Sequence, residues 1–252
     1  PAMMMTALKQ AWSACPVFCF VATDYTCSPT VGACTPDICV IPHQELADEF
    51  VSCGIARDTL LPAGIPVRSA FREHGDRAAA RRALGLPETG RHIVLMSGSP
   101  MGDVAEDLDM RMADGDFATV LCGSNKQMRY ALELRRLYRV EAVGFTTQVQ
   151  LYMDSADVLV SKPGGISITE AGTRGVPLLL ADMVGGCETR NQEFFTAHGW
   201  AASCPPDSMA ASALAFLEDE QQRQAITAAQ SRDFDGLAAD RVAAAVLARC
   251  KK

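Results

Sequence analysis

The chain has 252 residues, of which 48% are apolar, and its formal net charge is −7. This length and composition predict a well-buried core in one large domain or two ordinary ones, and they exclude an intrinsically disordered chain. The acidic balance, with no long basic run, excludes a general affinity for nucleic acid.

Neither membrane spans nor stable disulfides are predicted. No apolar run approaches the roughly 20 residues that cross a bilayer, and the first residues lack the features of a signal peptide. Ten cysteines occur without a C-x-x-C motif, and several lie in apolar strand-like runs, which is typical of buried, reduced thiols in a cytosolic protein. A metal or cluster site remains an alternative for the cysteines that crowd the first quarter. These are Cys15, Cys19, Cys27, Cys34, Cys39 and Cys53.

The first part of the chain alternates short apolar runs with loops. Residues 17–24 and 37–42 read as buried strands of a parallel sheet, a helix is expected over 43–54, and a brief strand follows within 59–67. Residues 68–90 are rich in Arg, Ala and Glu and end in turn residues, so we predict a linker there. Because the first strand comes almost at once, we expect the chain to begin partway through a domain.

Beyond residue 90, apolar strands and helical patterns alternate regularly. The predicted strands begin at His92, Phe117, Val140, Asp157, Pro177 and Trp200. Helices are predicted after them over 207–217, 219–230 and 236–250. This alternation predicts a Rossmann-like α/β domain over 91–235, with a parallel sheet and helices on both faces. Residues 236–252 carry a broad apolar face and are predicted to dock on the N-terminal domain, residues 1–67.

Glycines mark the two strand-to-helix crossings between Asp157 and Phe195. Gly164 and Gly165 follow a predicted strand and precede a helix, where the backbone can approach a phosphate and the helix N-terminus favours its charge. The alternative is a tight turn that requires positive φ and binds nothing. We favour a phosphate, because the ligand crevice of a parallel sheet lies at this end of its strands.

Glu170 has two interpretations. Ser167 and Glu170 form the S-x-x-E pattern of a capping box, in which the glutamate satisfies its own helix and needs no ligand. The carboxylate is also expected at the ligand edge, where it could accept both ribose hydroxyls of a nucleotide. These residues alone leave both interpretations open.

Two further loops follow predicted strands. The Ser- and Gly-containing loop 97–103 leads into a helix that Asp103 would cap, and Asn125 stands after another strand in an N-cap position. Each loop is a weak signal by itself. Three such loops at one edge of a sheet favour a ligand crevice.

Metal and triad chemistry find little support in the sequence. Asp107 and Asp109 form a D-x-D pair that would point to different sides of a helix, and Asp114 and Asp116 flank a turn glycine. The G-x-S-x-G motif of a serine hydrolase is absent, and the four histidines are scattered. His43 is expected at a helix N-terminus or an interface.

Motifs spread over nearly the whole chain resemble one family. In order they are TDYTCSP, IPHQELADEF, GIPVR, VLMSGSPMG, VLCGSN, VGFT and SKPGGISITEA, followed by VGGCETRNQEFF. The chain is similar to the lipid-directed family 28 glycosyltransferases, namely the monogalactosyldiacylglycerol synthases and the bacterial processive diacylglycerol glucosyltransferases. The resemblance implies a GT-B architecture of two facing α/β domains, with a UDP-sugar held mainly by the C-terminal one. It also implies inversion at the anomeric carbon and no required metal or other cofactor.

The resemblance implies roles for individual residues as well. The glycine pair would cradle the diphosphate, Glu170 would bind the ribose, and the backbone near Phe145 would contact uracil. Glu188 and Asn191 would touch sugar hydroxyls. The full set expected to line the donor site is Ser99, Gly123, Asn125, Phe145, Lys162, Pro163, Gly164, Gly165, Ile166, Ser167, Glu170, Gly186, Cys187, Glu188 and Asn191.

Two departures from the family pattern affect these expectations. Where relatives usually read P-G-Q-E, this chain reads GGCE, so Cys187 replaces a glutamine that would contact the hexose, and a thiol is a weak hydrogen-bonding group. The glycine- and histidine-containing loop near the family's N-terminus has no counterpart in this sequence, which fits the expected N-terminal truncation. Asp24 is then the best candidate near the interdomain cleft for a catalytic base or an acceptor contact.

The predicted function is transfer of a hexose from UDP to a diacylglycerol-type lipid. The protein is expected in the cytoplasm, in peripheral contact with a membrane surface. Two alternatives stay open: binding of a UDP-sugar without transfer, and transfer of N-acetylglucosamine to a polyprenyl-linked peptidoglycan precursor. The G-x-E-x-x-N pattern favours the glycerolipid branch.

Overall fold

The computed structural model describes residues 2–12, 16–73, 75–96, 101–181 and 185–250. Within these ranges the chain forms a three-stranded and a six-stranded sheet, and every pair of neighbouring strands is parallel. The predicted parallel α/β fold is therefore confirmed.

The smaller sheet belongs to the first part of the chain. Its strands are β1 (Cys19–Val21), β2 (Ile38–Ile41) and β3 (Leu60–Pro62), in chain order across the sheet. They are shorter than the apolar runs of the sequence, because only three residues of β1 and three of β3 pair with β2. Two helices from the same part of the chain accompany this sheet, α1 (Ala2–Ala11) and α2 (Ala47–Ser52).

The larger sheet has the doubly wound strand order of dinucleotide-binding domains. Its strands are β4 (His92–Met96), β5 (Phe117–Gly123), β6 (Val140–Gly144), β7 (Val158–Ser161), β8 (Leu178–Leu180) and β9 (Ala202–Ser203). The order across the sheet is β6-β5-β4-β7-β8-β9, so the direction of winding reverses between β4 and β7. The central strands are buried on both faces, which is why they read as continuous apolar runs.

Helices cover both faces of the larger sheet. They are α4 (Gly102–Arg111), α5 (Lys126–Arg135), α6 (Val149–Ser155), α7 (Gly165–Arg174), α8 (Cys187–Ala197), α9 (Met209–Glu218) and α10 (Glu220–Asp233). Leu108 of α4 and Phe216 of α9 belong to the core on one face. Ile168 of α7 and Phe195 of α8 belong to the core on the other face, which continues into the smaller sheet through Tyr25. One hydrophobic core thus joins the two sheets.

Residues 68–90, predicted as a linker, contain the helix α3 (Arg77–Leu84). This helix packs against α6, and its Arg81 is buried beside the carboxylate of Asp157 at 3.3 Å. The segment is therefore part of the packing of the second domain. The domain boundaries themselves stay a prediction.

The last helix, α11 (Ala238–Cys250), returns to the smaller sheet. Val242 and Val246 of α11 pack against Ile38 and Val40 of β2. The first part of the chain thus covers the Val242 and Val246 part of this apolar face, while Leu247 stays 60% exposed. Among the described residues, none of the helices combines the length and apolarity needed to cross a bilayer.

Candidate functional site

The carboxyl ends of the central strands meet at one edge of the larger sheet. Gly123 ends β5 with a φ of 53°, Phe145 follows β6, and Lys162 follows β7. The point between β4 and β7, where the direction of winding reverses, is where doubly wound sheets bind ligands. Of the predicted donor-site residues, Ser99 lies outside the described part of the chain.

The two predicted N-caps differ in outcome. Asn125 caps α5, since its Oδ1 accepts the backbone N–H of Met128 at 3.0 Å. The prediction that Asp103 caps α4 is wrong, because that helix already begins at Gly102 and Asp103 lies in its first turn. The Asp103 carboxylate instead contacts the Arg135 guanidinium at 3.2 Å.

The loop after β7 presents the N-terminus of α7 to the crevice. Gly164 is the N-cap with a φ of −74°, and the first intrahelical bond runs from the Ile168 N–H to the Gly164 carbonyl at 3.1 Å. The N–H groups of Gly165, Ile166 and Ser167 precede that bond, so they have no partner within the helix. Neither glycine of the pair has positive φ, so the alternative of a turn that requires it is wrong.

The two glycines lack side chains for different reasons. A Cβ on Gly164 would have only the flexible end of Lys162 nearby, at 3.9 Å, so the space beside it is open. A Cβ on Gly165 would stand 1.9 Å from the backbone carbonyl oxygen of Thr23, in the loop after β1. Gly165 therefore permits the close contact between the first and second parts of the chain, and Gly164 borders the crevice.

Asn191 joins the same two segments from α8. Its Nδ2 donates to Asp24 Oδ1 at 2.8 Å and to the Pro163 carbonyl at 2.9 Å, while its Oδ1 accepts the Tyr25 N–H at 2.6 Å. The residue is completely buried. Both amide hydrogens are therefore used within the protein, and the role in touching sugar hydroxyls that the resemblance implied does not fit this arrangement.

Asp24, the candidate base, is thus held at the junction of the two sheets. One of its oxygens is bound by Asn191, and its charge is close enough to help burial raise the pKa of the Cys187 thiol. Tyr25 fixes the loop further, since its hydroxyl is 2.9 Å from Thr169 Oγ1 in α7. The carboxylate therefore has a fixed position beside both glycine-marked loops.

The capping interpretation of Glu170 is wrong. Because α7 begins at Gly165, Ser167 is its third residue and Glu170 lies a further turn along, out of reach of the first N–H groups. The Glu170 side chain is only 13% exposed, with Arg68 Nε at 3.9 Å. Burial raises the pKa of Glu170 to about 6, and the Arg68 charge opposes this only in part. The structure thus keeps a carboxylate in a confined place without using it for its own helix.

Arg68 was missed by the sequence interpretation. It ends the GIPVR motif, and its guanidinium lies over the Phe71 ring at 5.0 Å and faces Glu170. About half of its side chain is exposed, so it can add positive charge to the crevice. Its place at the end of GIPVR, one of the motifs that carry the family resemblance, was the available signal.

Glu170→Gln should have opposite effects on the stability of the protein and on ligand binding. The folded protein holds the Glu170 pKa above its ordinary value of 4.5, so the wild type loses stability as the pH rises from 4.5 through about 6. The glutamine variant does not titrate, and above pH 6 we expect it to be more stable by about 1 kcal/mol, after allowing for partial solvent screening.

Urea unfolding at pH 4.5 and pH 7.5 measures this effect, with the exposed Glu88→Gln as the control. We expect the gain at the higher pH only. Calorimetry at pH 7.5 with UDP, the nucleotide that the family resemblance implies, should show weaker binding for Glu170→Gln and unchanged binding for the control. A variant that is less stable than the wild type at pH 7.5 would contradict the absence of a capping role.

The second crossing contributes a second helix N-terminus. Gly186, the N-cap of α8, has a φ of 66°, a conformation that glycine adopts without strain. Cys187 and Glu188 form the first turn, and Glu188 Oε1 is 2.6 Å from Lys162 Nζ. This ion pair links the two loops. Because burial raises its pKa, the Cys187 thiol is neutral at physiological pH and remains a weak hydrogen-bonding group.

The D-x-D carboxylates are engaged in structural contacts. Asp107 pairs with Arg111, and Asp109 accepts the backbone N–H of Arg139. Asp114 pairs with the Arg139 guanidinium, and Asp116 pairs with that of Arg91. The cysteines that the structure describes are all free thiols. Within the described ranges, the one group of three or more potential metal ligands contains no cysteine.

A cavity of about 510 Å³ lies away from this crevice, near the opposite ends of the strands. It is lined by charged side chains that already pair with each other, among them Asp154 with the buried Arg174, and Arg77 with Asp157. Volume alone therefore does not identify the ligand site of this fold.

Comparison with known proteins identifies the family. The model of the glycosyl transferases group 1 matches residues 103–232, which is more than half of the chain. The chain belongs to the glycosyltransferases. The monogalactosyldiacylglycerol synthase model matches residues 1–67 of this glycosyltransferase, so the resemblance noted from the motifs is confirmed.

Curated relatives of this glycosyltransferase come from bacteria and plants. The processive diacylglycerol β-glucosyltransferase of Staphylococcus carnosus is 28% identical over 211 residues, covering 77% of this chain and 54% of the relative. Monogalactosyldiacylglycerol synthase 2 of Arabidopsis thaliana is 30% identical over 197 residues, covering 73% of this chain and 42% of the relative. The chain thus spans about half the length of the curated relatives it matches.

Solved structures agree with the fold. The Anabaena protein HepE, crystallised with UDP-glucose, has a TM-score of 0.63 at 18% identity, covering 98% of this chain and 76% of that one. MurG of Acinetobacter baumannii has a TM-score of 0.59 at 13% identity, covering 98% of this chain and 70% of that one. These likenesses establish the GT-B type of fold for this glycosyltransferase.

Proposed function

We propose that this glycosyltransferase moves a hexose from a UDP-sugar to a diacylglycerol-type lipid, with inversion at the anomeric carbon. The observation that carries the proposal lies where the winding of the sheet reverses. The N-termini of α7 and α8 come together there with Lys162 and the confined Glu170. Asp24 lies beside them. The names of the curated relatives support the acceptor class, and similar structures that contain UDP or UDP-glucose support the donor class.

We assign the donor contacts from this arrangement. The diphosphate would accept hydrogen bonds from the N-terminus of α7, beside the open side of Gly164, with positive charge from Lys162 and Arg68. Glu170 would accept the ribose hydroxyls, and the backbone at Phe145 would contact uracil. Glu188, with Gly186 and Cys187, would face the hexose.

The reaction would use preorganised charge. The acceptor hydroxyl attacks the anomeric carbon as the bond from that carbon to the UDP oxygen breaks, and Asp24 takes the hydroxyl proton. The negative charge that develops on UDP is met by the α7 N-terminus and the two cations, which is the role of a preorganised anion site. We therefore propose transfer without a metal ion at the diphosphate.

The acceptor implies where the protein works. Diacylglycerol is confined to membranes, so we propose peripheral contact of a cytoplasmic protein with a membrane surface. Binding of a UDP-sugar without transfer remains the alternative to be excluded by assay. Transfer to a polyprenyl-linked precursor is not favoured, because the named curated relatives are diacylglycerol enzymes and the likeness to MurG is one of fold.

Two measurements test the proposal. Calorimetry should show UDP binding more tightly than AMP, by roughly tenfold or more for a site that hydrogen-bonds the base. Equal affinities would overturn the donor assignment. Diacylglycerol vesicles should then be incubated with UDP-glucose, UDP-galactose and UDP-N-acetylglucosamine in parallel, and lipid products separated by chromatography. Glycolipid from a hexose donor is expected, while tight UDP binding with no product would support the binding-only alternative.

A further inference from the structure

Two histidines and a glutamate meet where the two sheets join. His43 and Glu45 follow β2 of the smaller sheet, and His198 lies directly after α8 of the larger one. One potential ligand atom from each of the three side chains lies within 4.8 Å of the others. The group stands at the far end of α8 from Cys187 and Glu188, roughly 15 Å away by the rise of an α-helix. It is therefore separate from the donor crevice.

The two nitrogens of the His198 ring have different polar contacts, and the contact of Nε2 favours a cation. Its Nδ1 is 2.8 Å from the Phe194 carbonyl oxygen, which can only accept, so Nδ1 carries a proton. Its Nε2 is 3.2 Å from Glu45 Oε2. In the neutral ring, Nε2 is also an acceptor, so two lone pairs would face each other. A metal cation bound between them would accept both lone pairs.

The bond to the Phe194 carbonyl is the outer contact that histidine ligands of metals usually have. A ligating imidazole nearly always donates its other N–H to a carbonyl or carboxylate, which fixes the ring orientation and makes the ligand nitrogen more basic. Here the ring is also held by packing, with its centroid 4.2 Å from that of Phe194 and 4.5 Å from that of Trp200. His198 is thus oriented before any cation binds.

His43 is the second nitrogen donor. Its ring centroid is 5.3 Å from that of His198, so one nitrogen of each ring can reach a shared cation. Nδ1 of His43 accepts the Glu45 N–H at 3.3 Å, longer than a typical hydrogen bond. Ligation through either ring nitrogen would end this bond, because a neutral ring bound through Nε2 carries its proton on Nδ1. The loss is small.

We propose that His43, Glu45 and His198 form a binding site for a divalent transition metal such as Zn²⁺, with solvent completing the coordination. Two imidazoles and one carboxylate suit Zn²⁺, Co²⁺ or Ni²⁺, whereas Mg²⁺ and Ca²⁺ require oxygen donors. The metal would join the loop after β2 to the end of α8. Since it binds the folded junction, it stabilises that junction according to its concentration.

Co²⁺ binding to the whole purified chain tests this site. After chelator treatment, Co²⁺ is titrated in a Trp12→Phe background while its visible absorption and the fluorescence of Trp200 are recorded. The Trp200 ring centroid is 4.5 Å from that of His198, so the paramagnetic ion should quench its fluorescence. We expect binding of one Co²⁺, displaced by Zn²⁺, without the charge-transfer absorption that cysteine thiolates would give.

Three variants complete the test. Glu45→Gln and His198→Ala should weaken Co²⁺ binding by about tenfold or more, as expected for loss of a ligand or its support. The control Asp48→Asn changes an exposed carboxylate nearby, 87% accessible, and should bind as the wild type does. Melting temperatures in chelator should be similar for Glu45→Gln and Asp48→Asn, which shows that both are folded.

Two results would overturn the proposal. If the wild type does not bind one Co²⁺, the contact between His198 and Glu45 forms without a metal and the proposal is wrong. If binding is unchanged in Glu45→Gln and His198→Ala, the ion is held elsewhere in the chain, and thiolate absorption would assign it to cysteines.

Discussion

Gly165→Ala should destabilise the protein severely, while Gly164→Ala should leave the fold intact and weaken UDP binding. The added methyl group at residue 165 would stand 1.9 Å from the Thr23 carbonyl oxygen and 3.2 Å from the Asp24 Cα. Both neighbours are backbone, so no change of rotamer relieves the overlap. The loop after β1 would have to move away from α7, which disturbs the position of Asp24.

The expected changes in stability differ between the two variants. Overpacking of this kind costs about 3 kcal/mol, and alanine at a helix position recovers at most about 1 kcal/mol relative to glycine. At Gly164 the φ of −74° suits alanine and the nearest atom is 3.9 Å away, so we expect a change in stability within about 1 kcal/mol. Its methyl group would instead occupy the space proposed for the diphosphate.

Urea unfolding and UDP calorimetry on both variants provide the measurement. Gly165→Ala is expected to lose stability, and Gly164→Ala is expected to lose UDP affinity with its unfolding midpoint nearly unchanged. If Gly164→Ala binds UDP as the wild type does, the diphosphate does not lie beside this glycine. If Gly165→Ala is as stable as the wild type, the contact with Thr23 is not required for folding.

The sequence predicted the elements of the larger sheet well because its strands are buried on both faces. Apolar runs such as 158–160 have few interpretations when they are short, evenly spaced and separated by helical patterns. The short strands β1 and β3 were overestimated, since in a three-stranded sheet their length depends on pairing with β2. Helix α3 was hidden by a composition that also suits an exposed linker.

The site was predicted less completely, because its details depend on contacts between distant parts of the chain. The S-x-x-E pattern at Ser167 suggested a helix start, but α7 begins earlier, at the glycine that packs against Thr23. No local pattern could reveal that contact. Arg68 and Glu170 come together only through the fold. The positions of the glycine pair and Lys162 were predictable, because they follow from the end of a strand.

Asn191→Ala should lower the free energy of unfolding by more than the loss of a side chain that only contacts a bound sugar would. It removes three hydrogen bonds at once and leaves the Tyr25 N–H, the Pro163 carbonyl and one Asp24 oxygen without this partner in a buried place. Each buried polar group left unsatisfied costs roughly 1 to 3 kcal/mol, so we expect a loss of about 3 to 5 kcal/mol in the free energy of unfolding. Urea unfolding at pH 7.5 measures it.

Binding measurements distinguish this role from a sugar contact. If Asn191 positions the loops, its loss should weaken UDP and UDP-glucose by the same factor, because the hexose has no direct part in the effect. If it touches hexose hydroxyls, UDP-glucose should be weakened and UDP should not. A stability within about 1 kcal/mol of the wild type would also contradict the positioning role.

The double variant Asp24→Asn/Asn191→Asp provides the most specific test of the pair. Asn191→Asp alone places a carboxylate against the Asp24 carboxylate and the Pro163 carbonyl, so it should be at least as destabilising as alanine near neutral pH. The double variant exchanges donor and acceptor between the two residues, and it should recover part of the loss because residue 24 can then donate to residue 191. Only the Pro163 carbonyl stays without its donor. If stability returns while glycosyl transfer does not, the Asp24 carboxylate is required for the reaction, because its structural contact has been restored with its charge removed.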